Sequence, residues 1–103
     1  DHHHHNVAEI FVLSDGSIEL AVFSRDGVTH TYTGILGPTA IMVPTEVDHT
    51  FIFGPDTSVV VLCDAPFDQA DILPADKAHT ENVDKAIRAE TNQRMSQMME
   101  SQK

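Results

Sequence analysis

Four consecutive histidines near the start of the chain, followed by a glutamate, have the residue types and spacing of a site that could bind a metal or transfer protons. In one register, four residues separate the pair His2 and His4 from Glu9. In the other, three residues separate His3 and His5 from the same glutamate. Alternate residues of a β-strand project to one face, so either pair would direct two imidazoles into one pocket. A histidine run can also be a cloning remnant without functional meaning.

A further histidine follows a turn signal later in the chain, where Pro44 precedes His49 at the start of an apolar run. Three neutral imidazoles and one carboxylate can bind a first-row divalent ion and leave positions open for water or substrate. His2, His4, Glu9 and His49 would supply that set, or the other histidine pair in the shifted register. Nothing in the sequence selects among Fe, Mn, Ni, Zn and Co. The same imidazoles could instead transfer protons without a metal.

The composition of the 103-residue chain is that of one globular domain, with 41% hydrophobic and 21% charged residues. A net charge of −10 argues against a nucleic acid or an anionic membrane as partner, because such binding needs clustered Lys and Arg. No apolar run approaches the roughly 20 residues of a membrane span. The single Cys63 excludes an internal disulfide and fits a reducing compartment, so we expect a cytoplasmic protein.

Short runs of strand-forming residues alternate with turn signals through the first two thirds of the chain. The predicted strands cover residues 7–14, 17–24, 28–35, 40–43, 49–53 and 58–63. Gly16 is expected to allow the tight turn after the first of these strands. Because no helix interrupts these strands, they predict an antiparallel sandwich or barrel. Within it, Cys63 is expected to be a small core residue, and His30 a surface residue.

After the predicted strands the character of the chain changes to a connector and a helix. Two prolines and several acids in residues 65–77 predict an ordered connector lying over the barrel, and Thr80 is a candidate N-cap for a helix that follows it. One apolar stripe of this helix is Val83, Ala86 and Ile87, and a second is formed by methionines. The chain therefore divides into a β domain, residues 1–73, and a connector with a C-terminal helix, residues 74–103.

The two histidine motifs together resemble the signature motifs of the cupin superfamily. The first family motif reads H-x-H, three or four residues, E, six residues, G, and the chain satisfies it from His2 to Gly16. The second reads P-x-G-x-x-H, with Glu46 here in place of the glycine. The resemblance covers residues 2–63 and implies an all-β, cupin-type double-stranded β-helix, or jelly roll. That fold would be N-terminally truncated, carry a C-terminal α-helical tail and form a homodimer.

The segment from residue 59 to residue 72 is similar to the closing segment of one cupin branch, the nucleotide-sugar 3,4-ketoisomerases. This resemblance implies that His2 and His4 are an acid/base pair and that His49 lines their pocket. One histidine would remove the proton next to the 4-keto group of a dTDP-4-keto-6-deoxyhexose, and an enediol would collapse to the 3-keto sugar, without a cofactor. Two features of the sequence differ from this branch. The Arg-Gly pair of the branch's histidine motif would lie before Asp1, and Glu9 stands where members of the branch often carry an amide.

Three functions stay open at this point. The first is a ketoisomerase-like enzyme acting on a small molecule such as a dTDP-linked keto sugar. The second is a metal-binding cupin of another activity, such as a dioxygenase or an isomerase, with a divalent transition metal as its cofactor. The third is a non-catalytic cupin module that binds a ligand or dimerises.

Overall fold

The computed structural model of the chain describes residues 2–4, 7–65 and 71–101. These residues form eight strands and one helix. The strands are β1 (His2–His4), β2 (Glu9–Asp15), β3 (Ser17–Arg25), β4 (Val28–Leu36), β5 (Thr39–Val43), β6 (Asp48–Phe53), β7 (Ser58–Cys63) and β8 (Ile72–Pro74), and the helix is α1 (Lys77–Ser101).

The strands form two antiparallel sheets, which is compatible with the predicted β-sandwich. The larger sheet has the order β4-β3-β6-β1-β8, and the smaller has the order β5-β2-β7. Most consecutive strands lie in different sheets, and among the described strands the pair β3 and β4 forms the exception. All six predicted strands are confirmed to within two residues of their bounds, and the short strands β1 and β8 add to them. β8 lies within the predicted connector, and residues 66–70 of that connector lie outside the described part of the chain.

The core between the two sheets is formed by Leu13 of β2 and by Ile18 and Ala21 of β3. Strict alternation would place Ile18 on the same face of β3 as Leu20. A register shift between Ile18 and Leu20 breaks this alternation, as a β-bulge does. The bulge therefore turns Ile18 into the core between the sheets, while Leu20 contributes to a second cluster on the outer face of the larger sheet.

Helix α1 covers the outer face of the larger sheet. Val83 is buried against Leu20 and Val22 of β3, and Ala86 packs beside it. The predicted first stripe therefore does face the sheet, although Ile87 is more exposed. The exposed residues in the second half of the helix include Met95, Met98 and Met99. Among the described residues, no helix combines the length and apolar character needed to span a membrane.

The helix begins earlier than the sequence predicts. It starts at Lys77, and the backbone N–H of Thr80 donates a hydrogen bond to the carbonyl of Asp76 at 3.2 Å. Thr80 therefore lies inside the first turn, and Asp76 occupies the capping position. The backbone N–H of Asp76 donates to the Asp48 carboxylate at 3.1 Å, which ties the start of the helix to β6.

His79 joins the first turn of the helix to two strands of the larger sheet. Its side chain is 1% exposed, with Nδ1 lying 2.5 Å from the Ser24 hydroxyl and Nε2 lying 3.0 Å from the Thr50 hydroxyl. Burial lowers the pKa of His79 from its ordinary value of 6.5, and the carboxylates of Asp48 and Asp76 oppose that shift in part. His79 is therefore held as a neutral, hydrogen-bonded group beneath the helix.

Because the folded chain resists protonation of His79 more than the unfolded chain does, acid is expected to weaken folding. The contribution of His79 to the free energy of unfolding should be complete above about pH 6.5. It should decrease progressively as the pH falls below that value. Urea unfolding at a series of pH values measures this slope. We expect the free energy of unfolding to fall less steeply with decreasing pH in His79→Gln than in the wild type. His30 is exposed, and His30→Gln should have the wild-type slope. Equal slopes for the wild type and His79→Gln would contradict this role.

Candidate metal centre

The short ladder between β1 and β6 brings together two of the predicted site histidines. His2 lies directly opposite His49, and their ring centroids are 4.4 Å apart in an edge-to-face arrangement. Directly opposed residues of an antiparallel pair lie on the same face of the sheet. Both imidazoles therefore share one region of the larger sheet.

The smaller sheet contributes a carboxylate to the same place. Glu9, the first residue of β2, has its Oε1 3.5 Å from Nε2 of His49. Each of His2, Glu9 and His49 offers one potential ligand atom, and these three atoms lie within 4.8 Å of one another. Glu9 is 8% exposed and His49 is 3% exposed. The three residues, here called the donor triad, therefore sit between the two sheets.

A backbone hydrogen bond fixes which nitrogen of His49 faces the triad. Its Nδ1 lies 3.1 Å from the carbonyl oxygen of Val47. A carbonyl can only accept a hydrogen bond, so Nδ1 carries the proton and donates it. In the neutral ring Nε2 then holds a lone pair, and this nitrogen is the one that lies beside Glu9. Metal-binding histidines are typically oriented in this way, with the second ring nitrogen bonded to a carbonyl or carboxylate.

Aromatic side chains form the wall behind the donor triad. The ring of His49 lies 5.9 Å from that of Phe11 and 6.0 Å from that of Phe51, measured between centroids. Phe11 and Phe51 are themselves 4.7 Å apart and belong to different sheets. This apolar surround limits the access of water and holds the imidazole in place.

The structure distinguishes between the two registers proposed for the histidine run. His3 does not join the donor triad, because its Nδ1 lies 2.6 Å from the Asp48 carboxylate and its Nε2 lies 3.8 Å from that of Glu46. His3 therefore faces Asp48 and not the donor triad, since neighbouring strand residues point to opposite faces. The side chain of His4 and the whole of His5 lie outside the described part of the chain.

Two turns within the histidine motifs, one after β2 and one before β6, have the backbone conformations that the motifs call for. Gly16 has a φ of +94°, and a Cβ at this position would collide with Thr57. Glu46 has a φ of +64°, the left-handed region that favours glycine. The turn therefore keeps a glycine-like backbone although it carries a glutamate, and His49 follows it on β6.

The donor triad has the side-chain types that bind a first-row divalent ion, although its ligand atoms, up to 4.8 Å apart, would have to move closer on binding. Imidazole nitrogens and carboxylate oxygens bind such ions at about 2.0–2.2 Å, so neighbouring ligand atoms are typically about 3–3.5 Å apart. The distance of 3.5 Å between Nε2 of His49 and Oε1 of Glu9 falls at the upper end of that range. Two imidazoles and one carboxylate leave coordination positions open for a further ligand, water or substrate.

Cys63 is a neighbour of the site that the sequence did not point to. It pairs with Glu9 on the ladder between β2 and β7, and its Sγ lies 4.0 Å from Oε2 of that glutamate. Its expected role as a core residue is wrong, because it is exposed at the end of the edge strand β7. Partial loss of hydration at the thiol raises the pKa of Cys63, and the carboxylates of Glu9 and Asp64 add to the shift.

Comparison with known proteins finds no matching family model, no matching curated protein and no matching solved structure. Function is therefore inferred from the side chains described above.

The pH dependence of Cys63 alkylation should report the charge on Glu9. In the presence of a chelator, the rate of reaction with iodoacetamide should reach its midpoint above the ordinary thiol pKa. Glu9→Gln should lower that midpoint because it removes a neighbouring negative charge. Glu19→Gln is the matched control and should leave the midpoint unchanged. An identical midpoint in Glu9→Gln and the wild type would contradict the proximity of the two groups.

Proposed function

We propose that the chain is a metal-dependent protein that binds one first-row divalent transition ion through His2, Glu9 and His49. The observation that carries this proposal is the approach of the three ligand atoms to within 4.8 Å between the two sheets. His4 is the fourth ligand that we propose, because it stands two residues from His2 on the same strand. When bound, the ion would polarise an oxygen atom of a small-molecule substrate.

The surroundings of the donor triad favour a preorganised metal site over a chance cluster of side chains. The hydrogen bond from His49 to Val47 prepares the neutral tautomer that a metal requires. Glu9 and His49 are both buried, so an ion bound between them would be shielded from water and its attraction to the carboxylate would be strong.

We also propose that the fold is a cupin-type jelly roll. The alternation of most consecutive strands between two sheets supports this, as does the position of the triad between them. The positive φ of Glu46 supports it too, since the resembling motif carries glycine at that place.

A metal-free isomerase is the second candidate function. The ring separation of 4.4 Å between His2 and His49, with Glu9 beside them, favours a pair of groups that could take up and return a proton. In this ketoisomerase-like proposal, with His2 and His4 as the acid/base pair, turnover of a dTDP-4-keto sugar would persist after treatment with a chelator. Loss of turnover on chelation would instead favour the metal-dependent enzyme.

The proposed homodimer draws support from the outer face of the smaller sheet. Residues that face one another across its three strands, and every second residue along each strand, share this outer face. Four apolar side chains on it are exposed: Ile10, Met42, Val60 and Leu62. Exposed apolar patches of this kind commonly mark protein interfaces.

Metal binding is best tested with a design that separates the triad from a simple histidine run. Titration of chelator-treated protein with Co²⁺, followed by calorimetry and elemental analysis, should give one ion per chain. Glu9→Gln and His49→Asn should each weaken binding by at least about tenfold, because each removes a ligand. Glu81→Gln and His30→Asn are matched controls at exposed positions and should bind as the wild type does.

A tag-like histidine run would respond differently. It would bind the ion equally well in Glu9→Gln and His49→Asn, since neither residue belongs to the run, and that result would contradict the proposal. Urea unfolding of each variant shows whether weakened binding reflects the lost ligand or a lost fold.

A further inference from the structure

One row of cross-strand neighbours connects the donor triad with the edge of the larger sheet. His2 lies opposite His49, His49 lies opposite Phe23, and Phe23 lies opposite His30. Directly opposed residues share a face, and neighbouring strands are about 4.8 Å apart. The row therefore runs along the inner face of the larger sheet, from the triad to the edge strand β4.

A cleft of about 380 Å³ lies at the β4 end of this row. Its volume is within the range of small-molecule binding sites. Six apolar residues line it: Phe23, Ile35, Ile41, Met42, Pro44 and Val47. Val47 is also the residue whose carbonyl accepts the hydrogen bond from His49, so the cleft and the donor triad share part of one wall.

The polar groups of the cleft are few and lie on the edge strand. His30 and Tyr32 are its two side chains able to form hydrogen bonds among the described lining residues, and both are exposed. No Lys or Arg in the described part of the chain lines the cleft. A diphosphate or carboxylate ligand would require such cations, because transferring an anion into an apolar site without a partner is costly.

We propose that this cleft binds an uncharged, ring-containing small molecule that is mostly apolar and carries an oxygen atom at one end. The ring packs on Phe23 and Ile41, and the oxygen points along the row toward His49 and the metal centre. The orientation rests on the proposed metal centre, whereas binding in the cleft does not. This chemistry differs from that of a nucleotide-linked sugar, whose diphosphate has no described cation to meet it here.

Naphthol, an uncharged aromatic compound with one hydroxyl, is a suitable probe. Methyl NMR spectra of chelator-treated protein should show shifts at Ile35, Ile41 and Val47 as naphthol is added. Tyr32→Glu should weaken binding by about tenfold, because it removes a lining ring and adds a charge at the mouth. Thr33→Glu is the matched control: it adds the same charge to the next residue of β4, opposite Leu20 on the face toward the helix, and should bind as the wild type does.

A second measurement tests the orientation of the ligand. In protein loaded with one equivalent of Mn²⁺, the hydroxyl end of bound naphthol should show stronger paramagnetic broadening than the far ring. Equal broadening of both ends would overturn the orientation. Shifts at the cleft in a protein that fails to take up Mn²⁺ would uphold the cleft and count against the metal centre, so the two proposals fail separately.

Three results would overturn the cleft proposal itself. The first is bound metal with no methyl shifts on addition of naphthol. The second is preferential binding of thymidine diphosphate at the same methyl groups. The third is a concentration-dependent dimer that Tyr32→Glu abolishes and Thr33→Glu does not, which would assign the cleft to a second copy of the chain.

Discussion

The pairing of β1 with β6 decides where both the candidate site and the helix lie. Neighbouring residues on each strand point to opposite faces, so His2 and His49 turn inward while His3 and Asp48 turn toward α1. The Asp48 carboxylate then binds both His3 and the backbone N–H of Asp76. One short ladder thus positions two imidazoles between the sheets and anchors the start of the helix on the outside.

Much of the candidate site could be predicted from the sequence because its members stand at fixed spacings on strands. The turn at Gly16 and the turn before His49 are both encoded locally. The choice between the two histidine registers could not be made in this way, because a shift by one residue exchanges the faces of a whole strand. The contact of His3 with Asp48, far along the chain, shows which face His3 takes.

Other features were missed because they depend on contacts between distant parts of the chain. Strict alternation would place Ile18 on the outer face with Leu20, and the β-bulge that turns it inward has no clear signal in the sequence of this strand. No motif in the sequence marks His79 at the start of the helix, yet it is buried between Ser24 and Thr50. Cys63 lies in an apolar run that suggests burial, but its strand is at the edge of the smaller sheet and leaves it exposed.

The central claim is that two sheets join to form one nitrogen- and oxygen-liganded metal centre at His2, Glu9 and His49. X-ray absorption spectroscopy of protein loaded with one equivalent of Zn²⁺ tests it most directly. A metal centre at these residues should give at least two imidazole ligands and oxygen ligands at about 2.0–2.2 Å, with the oxygen contribution altered in Glu9→Gln. A sulfur ligand at about 2.3 Å, as Cys63 would give, or a spectrum unchanged by both Glu9→Gln and His49→Asn, would contradict it.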